Sequence, residues 1–572
     1  MKKMKKIILS SIALIGLMGC NIDRAPYDGG ITDQVVTSET GLKQLLNGIY
    51  AKVRGGDVIN QKGSDYGISM NYYRNGTYGA DEVNLSGTTT DPLMGYYSLV
   101  RDASNARMVV AWNDGFSAIN AINSIFKNLN EGRSEALDHM LGEAYYLRAF
   151  INFNMLLHYS KPYNQGRGNL GIPLKYTTDE SDRPNRATVG ESYDAVVKDL
   201  LSAERLMAGD SKNNIKATQA AAQALLARVY LYMDNNSKAL EYADKVINSG
   251  KYSLVSTSEL PTYAQKVPEN NSETIFAVRY DTSSTYIYNP DYMLGSMYTV
   301  INNEGWGEMY AADPYIQLLQ RFPQDVRNKF IQQDYKLDAQ TKKKAPVVYW
   351  TEYVASRFRY EYKFYPANVD SNGNYISFTK DGNTYPISSE DVNYGGPTYT
   401  KYFAMINGQK QYLTRDYEMN NRGGFPKYYI NKLSLQEGYS HLYSPVISRL
   451  AELYLIRAEV KAKSGDVTGA LNDVNVIRRR ANAPEFASLP AGKTALDIVL
   501  DERWLEFAFE SQRKFDLIRN NRAIDRKFPG VHLNETRMKQ GKEIIQPTDN
   551  DLQCDIPQSQ INLQPGLQQN PL

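Results

Sequence analysis

The stretch SRLAELYLIRAEVKAKSG, residues 448–465, determines how the rest of the chain is interpreted. Its apolar side chains recur at three- and four-residue steps, the pattern of an amphipathic helix. They are Leu450, Leu453, Tyr454, Ile456 and Val460. Ser464 and Gly465 form a stop signal, and Asp466 can cap a second helix that runs to Ile477. The pattern therefore predicts a helix–turn–helix unit.

The same arrangement occurs much earlier in the chain. Residues 217–233 read ATQAAAQALLARVYLYM, and a short polar turn separates them from a second helical pattern over 239–247. Helix pairs rich in small residues that recur within one chain predict a helical-repeat scaffold of the tetratricopeptide kind. Further helices are predicted over 42–50, 112–129, 136–158, 192–207 and, as one long helix, 495–519. The expected fold class is mainly α.

The composition excludes several classes of function. A net charge of +2 over 572 residues gives no strong positive electrostatic field of the kind that attracts nucleic acid. Cys20 and Cys554 are the two cysteines, so a disulfide framework is excluded. Cys554 lies in a Pro- and Gln-rich stretch without the electropositive setting that a nucleophilic thiolate needs. No phosphate-binding, zinc or Ser/His motif is present, and we expect neither a cofactor nor a metal ion.

Residues 1–20 have the pattern of a targeting segment. Four lysines precede an apolar run over Ile7–Gly19, which is too short to remain as a membrane span. The run ends in Leu-Met-Gly before Cys20, which resembles a bacterial lipobox. The resemblance implies a signal peptide over 1–19, lipidation of Cys20 and a tether over 20–40. The alternative is an ordinary secretory signal with an incidental cysteine.

Two irregular regions interrupt the helical patterns, and the first is an aromatic stretch over 57–110. The whole chain has 44 tyrosines, and in this stretch tyrosines are interspersed with charged and amide residues. Aromatic rings beside such polar groups suit contact with sugar rings or peptide backbone. The candidate ligand residues are Tyr72, Tyr73, Arg74, Asp81 and Tyr96. A packed, tyrosine-rich loop without a ligand is the alternative.

The second irregular region covers 256–443. A strand is predicted over 274–280 and a hairpin over 375–387. Asp370, Asn372 and Asn374 resemble part of a calcium loop, but a plain turn is favoured because Tyr375 replaces the required glycine. Trp306 stands between two glycines with little local structure to pack into. Its ring is either folded into the core or offered to a ligand.

The predicted last helix carries three acidic residues at helical spacing, Glu502, Glu506 and Glu510. Charged faces of helices are usually solvated or paired, and this interpretation is favoured over a catalytic role.

Several segments together resemble the SusD/RagB family of outer-membrane lipoproteins of Bacteroidota. They are GEAYYLR at 142–148, LLARVYL at 225–231, RLAELYLIRAE at 449–459, LDERWLEFAFE with RKFDLIR over 500–519, IPQ at 556–558 with QQNP at 568–571, and the lipobox. Two details depart from the family pattern. Leu572 follows the final proline in place of Gly-Tyr, and Ser511-Gln512 precede Arg513.

The resemblance implies a surface-exposed nutrient-binding lipoprotein. It would be one compact unit, with helical repeats over 41–255, a ligand-binding insertion over 256–443, a helical part over 444–525 and a tail over 526–572. Such a protein captures oligosaccharides for a SusC-like TonB-dependent transporter. Trp306 follows Asn303-Glu304-Gly305, loosely similar to the Asn-Gly-Trp context of a sugar-stacking residue in starch-binding members.

Three alternatives remain open at this point. One is a pure interaction scaffold, for which the helix pairs alone would suffice. Another is the same role with oligopeptide cargo. A surface glycoside hydrolase is less favoured, because such enzymes need two converging carboxylates and no local pattern places a pair. We therefore expect a binding protein that is not an enzyme.

Overall fold

The computed structural model describes residues 38–55, 67–282 and 293–571. The predicted signal peptide, Cys20 and most of the tether lie outside the described residues. The first half of the body is helical. Its helices are α1 (Glu39–Arg54), α2 (Ile68–Tyr78), α3 (Leu93–Ser98), α4 (Ala106–Asn128), α5 (Glu135–Tyr159), α6 (Val189–Leu206), α7 (Gln219–Tyr232) and α8 (Asn236–Asn248).

The second half contributes shorter helices and most of the strands. Its helices are α9 (Asp313–Leu319), α10 (Leu450–Lys463), α11 (Val467–Arg480), α12 (Ala495–Phe507), α13 (Arg513–Arg519), α14 (Glu535–Lys539) and α15 (Gln558–Leu563). Among the described residues, no helix combines the length and the apolar composition that a membrane crossing requires.

The predicted helix pairs are confirmed. α7 packs against α8, α10 against α11, and α8 lies against α10, so the two pairs are neighbours. Ala451 and Ala458 of α10 are fully buried, and their small side chains let the helices approach closely. Arg457 joins the pairs by binding Asp473 at 2.6 Å and Asp244 at 2.9 Å. The fold is therefore mainly α and built on helix pairs, as the repeated pattern predicts.

The prediction of one long helix over 495–519 is wrong. The chain leaves the helix after Phe507, and Phe509 and Ser511 adopt left-handed φ values of 68° and 63°. The break sends the Phe509 ring into the core, where it is fully buried. It also directs Glu510 toward Lys432, 2.7 Å away. These contacts come from distant segments, so local helical periodicity could not reveal them.

The region 256–443 contains a seven-stranded antiparallel sheet, here called the inserted sheet. Its order is β10-β9-β8-β7-β13-β12-β11. The strands are β7 (Pro346–Val354), β8 (Arg359–Val369), β9 (Tyr375–Lys380), β10 (Asn383–Pro386), β11 (Ser388–Asn393), β12 (Thr398–Ile406) and β13 (Gln409–Tyr417). The other strands of the described residues form two-stranded pairs: β1 (Val83–Leu85), β2 (Leu170–Pro173), β3 (Arg186–Thr188), β4 (Thr274–Ala277), β5 (Met309–Ala311), β6 (Ile331–Gln333), β14 (Asn421–Arg422), β15 (Phe425–Pro426), β16 (Tyr428–Ile430), β17 (Val446–Arg449), β18 (Ile524–Asp525) and β19 (Ile544–Ile545). The predicted hairpin is β9–β10, and the Asp370 carboxylate closes a plain turn by accepting from the backbone N–H groups of Asn372 and Asn374.

The inserted sheet enters and leaves the body at one place. Pro346 pairs with Tyr417, and the Glu418 N–H donates to the Ala345 carbonyl at 2.8 Å. One sheet face packs on the body, where the hydroxyls of Tyr349 and Tyr428 are 2.9 Å apart and buried. The sheet is thus an insertion whose first and last residues lie next to each other on the scaffold.

A buried network of ion pairs lies behind the predicted strand near 274. The strand β4 (Thr274–Ala277) pairs with β17 (Val446–Arg449). Arg449 binds Glu273 at 2.7 Å, Glu506 at 2.6 Å and Glu510 at 3.0 Å. The surrounding arginines hold the pKa of the Glu506 carboxyl well below its usual range despite its burial. The acidic residues of the late helix are paired, as expected, but they are buried and not solvated.

Candidate functional site

The early aromatic stretch is not an irregular loop in its described part. Residues 68–78 form α2, all 11 of whose residues are buried, and it packs against α4 and α13. The proposed ligand residues are between 1 and 5 % exposed. They are Tyr72, Tyr73, Arg74, Asp81 and Tyr96. This burial favours the alternative of a packed segment without a ligand, and the binding role of these residues stays a prediction that their burial argues against.

Two acidic residues after α2 show what this segment does. Asp81 accepts two hydrogen bonds from Arg513, each 2.9 Å long. Glu82 is fully buried and accepts from the Phe509 N–H at 3.1 Å. Burial raises the pKa of Glu82 to about 8. Both carboxyl groups therefore stabilise the backbone where α12 ends and α13 begins, which is a structural role.

Trp306 has a different environment, because 51 % of its surface is exposed. It follows a tight reversal in which Ile301 and Glu304 exchange backbone hydrogen bonds of 3.0 and 2.9 Å. The two central residues, Asn302 and Asn303, have φ values of 53° and 64°. This is the left-handed geometry of a two-residue hairpin turn, which asparagine tolerates well.

The backbone around Trp306 is held by hydrogen bonds, while about half of its side chain is exposed. The N–H groups of Trp306 and Gly307 both donate to the Ser296 carbonyl, at 2.7 and 3.1 Å. Gly305 has φ +90°, and a Cβ there would lie 2.4 Å from Nε2 of His441. The flanking glycines therefore allow close approach to the body.

A side chain from a later segment completes what we call the Trp306 platform, which is formed by residues 300–308 and Arg422. Arg422 donates to the Trp306 carbonyl at 3.1 Å and pairs with Glu308. Asn302 reaches Ser440, beside the exposed Tyr439. The platform offers an aromatic face next to guanidinium, amide and carboxylate groups. Sequence reasoning missed Arg422, because no local pattern links it to the turn.

A second concave feature was also missed. A cavity of about 800 Å³ lies between the inserted sheet and the segment from α9 to Gln324. Its lining is polar and aromatic, and Trp306 is not part of it. Prominent members are Gln317, Arg321, Tyr349, Tyr399, Lys401 and Tyr412.

Cys554 is not a reactive group in this structure. It is a free thiol, and burial raises its pKa to about 11. A thiol with a raised pKa is a poor nucleophile near neutral pH. The sequence-based argument against a catalytic cysteine therefore has a physical basis in the fold.

Two family models match different parts of the chain. The family model described as "SusD family" matches residues 272–572, and one described as "Starch-binding associating with outer membrane" matches 23–231. The SusD-like protein P25 of Formosa agariphila is 23 % identical over 553 residues, 91 % of each chain.

Solved structures share the fold over almost the whole chain. A SusD superfamily protein from Bacteroides thetaiotaomicron superposes with a TM-score of 0.67 at 24 % identity, covering 93 % of this chain and 99 % of that one. A putative sugar binding protein from Bacteroides vulgatus gives 0.65 at 22 % identity, covering 93 and 98 %. Surface glycan-binding protein A from Bacteroides thetaiotaomicron gives 0.60 at 17 % identity, covering 94 and 100 %.

Proposed function

The chain belongs to the SusD family, and we propose that it is a non-enzymatic binding protein of the outer-membrane surface that captures oligosaccharides on the Trp306 platform. It then delivers them to a SusC-like TonB-dependent transporter. The names of two structural relatives, a sugar binding protein and a surface glycan-binding protein, support a carbohydrate ligand.

The observation that carries this proposal is the exposed ring of Trp306 on a fixed backbone. A sugar ring has apolar C–H faces that stack on an indole, and its hydroxyls need polar partners at the edge. Asn302 and Asn303 are exposed in the turn that precedes Trp306 and can supply such partners. Because the backbone is already ordered, little conformational entropy is lost when a ligand binds.

The membrane anchor is part of the same proposal. Lipidation of Cys20 would tether the body to the outer membrane, since each buried CH2 of an acyl chain contributes about 0.8 kcal/mol. Metabolic labelling with palmitate tests this step. The wild-type chain should take up label and the Cys20→Ser variant should not, and equal labelling of the two would contradict the anchor.

The binding site is tested by the Trp306→Ala variant. A panel of neutral oligosaccharides is screened by isothermal titration calorimetry, and the variant should lose about 10- to 100-fold in affinity, by analogy with ~1–3 kcal/mol for base–aromatic stacking. Trp306→Phe should lose less, because a smaller aromatic face remains.

Tyr176→Ala is the matched control, because Tyr176 is exposed to 54 % elsewhere on the molecule. It should leave affinity unchanged. If Trp306→Ala binds every oligosaccharide as tightly as the wild type does, the platform is not the site. Release of shortened product from any polysaccharide would instead establish an enzyme.

A further inference from the structure

The cavity beside the inserted sheet has two walls of defined composition, here called the sheet groove. Cross-strand register pairs Thr414 with Tyr349 and Tyr412 with Phe403. Because side chains alternate across a strand, these residues share one face with Tyr399 and Lys401. The opposite wall is α9 and the turn after it, which supply Gln317, Gln320, Arg321 and Gln324.

The groove has a closed end and a wide remainder. The Gln317 side-chain amide donates to the Thr414 hydroxyl at 2.8 Å and so joins the two walls. Asp313 lies at this end, 3.5 Å from the same amide, and is the single acidic residue in the lining. The remaining volume, lined by tyrosines and cations, is large enough for several sugar rings.

Two cations in the lining have no acidic partner. The Arg321 guanidinium lies 4.9 Å from the Tyr394 ring centre and 5.5 Å from that of Tyr399. The Lys401 ammonium lies 5.0 Å from the Tyr412 ring centre. Neither has a carboxylate within 4.0 Å among the described residues. Nη1 of Arg321 is buried and makes no hydrogen bond there.

The carboxylate best placed to neutralise Lys401 is already occupied. Glu390 lies opposite Lys401 in the register of β11 and β12. Its oxygens accept from the Lys410 ammonium at 2.8 Å and from the Tyr412 hydroxyl at 2.6 Å. Lys401 also interacts with Glu390 through its charge, but in the described part of the chain neither Lys401 nor Arg321 forms an ion pair within 4.0 Å, so both can pair with an anionic group from outside the chain.

Arg415 provides a useful contrast. It is also among the residues that line the cavity, and it too has no acidic partner within ion-pair distance in the described ranges. Register, however, places its side chain on the sheet face opposite to that of Lys401 and Tyr412. There its guanidinium lies 3.4 Å from the Tyr402 ring centre. The groove is thus distinguished from the rest of the sheet by cations that face an open volume beside tyrosine rings.

We propose that the sheet groove binds an acidic oligosaccharide, one that carries carboxylate or sulfate groups. Lys401 and Arg321 pair with the anionic groups, Tyr399 and Tyr412 contact the sugar rings, and the glutamines bind hydroxyls. Charge-assisted hydrogen bonds of guanidinium and ammonium to such anions are stronger than neutral ones. This inference rests on the proposed capture of glycans and adds a second site with its own ligand class.

Calorimetry on the full chain tests the inference with three oligomers of equal length: a galacturonate, a sulfated galactan and a neutral galactan. The wild type should bind one or both acidic oligomers, more weakly as salt rises, and Lys401→Gln and Arg321→Gln should each reduce that affinity about tenfold. Arg321→Lys should retain more affinity than Arg321→Gln. The galacturonate and sulfated arms distinguish the two kinds of acidic group.

Arg415→Gln is the matched control and should bind the acidic oligomers as the wild type does. Circular dichroism of each variant checks folding. Absence of acidic binding, an equal loss in Arg415→Gln, or equally tight binding of an acidic peptide would overturn the inference. Trp306→Ala separates the two sites: its effect on the neutral oligomer tests the platform alone, whatever the groove variants do.

Discussion

Glu82 shows how a single residue in this fold sets a dependence on pH. Burial raises its pKa to about 8, whereas an unfolded glutamate titrates near 4.3. Between these values the folded protein keeps a proton that the unfolded chain releases, so the free energy of unfolding falls as the pH rises through this window. Above about pH 8 the full cost of the buried charge is present.

The Glu82→Gln variant removes this cost, because an amide cannot ionise but can still accept from the Phe509 N–H. We expect its Tm to exceed that of the wild type by an amount that grows from about pH 4.5 to about pH 8 and then levels off. Thermal unfolding in a pH series measures it. Glu180→Gln, at an exposed loop position, should show no such trend. A constant difference across the series would contradict the argument.

Trp306 and Tyr72 show how far a site can be predicted from residue types. Both are aromatic residues in sequences rich in asparagine and glycine, yet Trp306 is half exposed and Tyr72 packs 4.5 Å from the His158 ring. The glycines beside Trp306 prevent local packing and are visible in the sequence. The helix that buries Tyr72 is not, because α2 has no apolar stripe and is enclosed by segments distant in the chain.

At the scale of elements, the turn that presents Trp306 depends on Gly305. An alanine there would need a φ of +90° and would place its Cβ 2.4 Å from His441 and 2.7 Å from the Thr299 carbonyl. We expect Gly305→Ala to displace the turn and to weaken oligosaccharide binding severalfold, with a loss of roughly 1–2 kcal/mol in stability from the backbone conformation.

Gly382→Ala is the matched control for this turn. Gly382 has φ +78°, but a Cβ there would meet no heavy atom within 4 Å. It should lose a similar amount of stability in chemical denaturation and bind ligand normally. If both variants bind normally in calorimetry, the position of the turn does not matter for recognition.

Helices were predicted correctly where a single periodicity covers the whole helix. The prediction failed where contacts with residues distant in sequence determine the backbone conformation. The pairs α7–α8 and α10–α11 follow from a helical repeat, a turn and a cap such as Asp466, whose carboxylate accepts from the Gly469 N–H. The break at Phe509 and Ser511 depends on Glu82 and Lys432, which lie hundreds of residues and tens of residues away in the chain. No local signal specifies it.

At the scale of the whole molecule, the inserted sheet is separable from the scaffold. Since Pro346 and Tyr417 are paired, a short Gly-Ser linker can replace residues 347–416 without moving the ends. The shortened chain should fold cooperatively with a lower Tm, because Tyr349, Tyr362 and Phe364 no longer cover the body. Calorimetry should find neutral oligosaccharide binding retained and acidic oligosaccharide binding lost.

Two results would contradict this view of the architecture. Failure of the shortened chain to unfold cooperatively would mean that the scaffold needs the sheet. Loss of neutral binding in a folded, shortened chain would mean that the Trp306 platform depends on the sheet.

The existence of strands in the inserted region follows from the sequence, but the order of the seven strands does not. The pairing of β7 with β13 joins strands that are far apart in the chain.

The pairing of β4 with β17 also has a kinetic consequence. Ala277 meets Val446, so this contact closes a very long loop, whereas most strand pairs of the inserted sheet join neighbours in sequence. Local hairpins form in about 1–10 μs, and closing a long flexible loop is entropically slower. We expect the sheet to form early and to shorten the loop that remains. The ion pairs between Arg449 and its glutamates then form late in folding, after β4 and β17 have brought the two halves of the chain together.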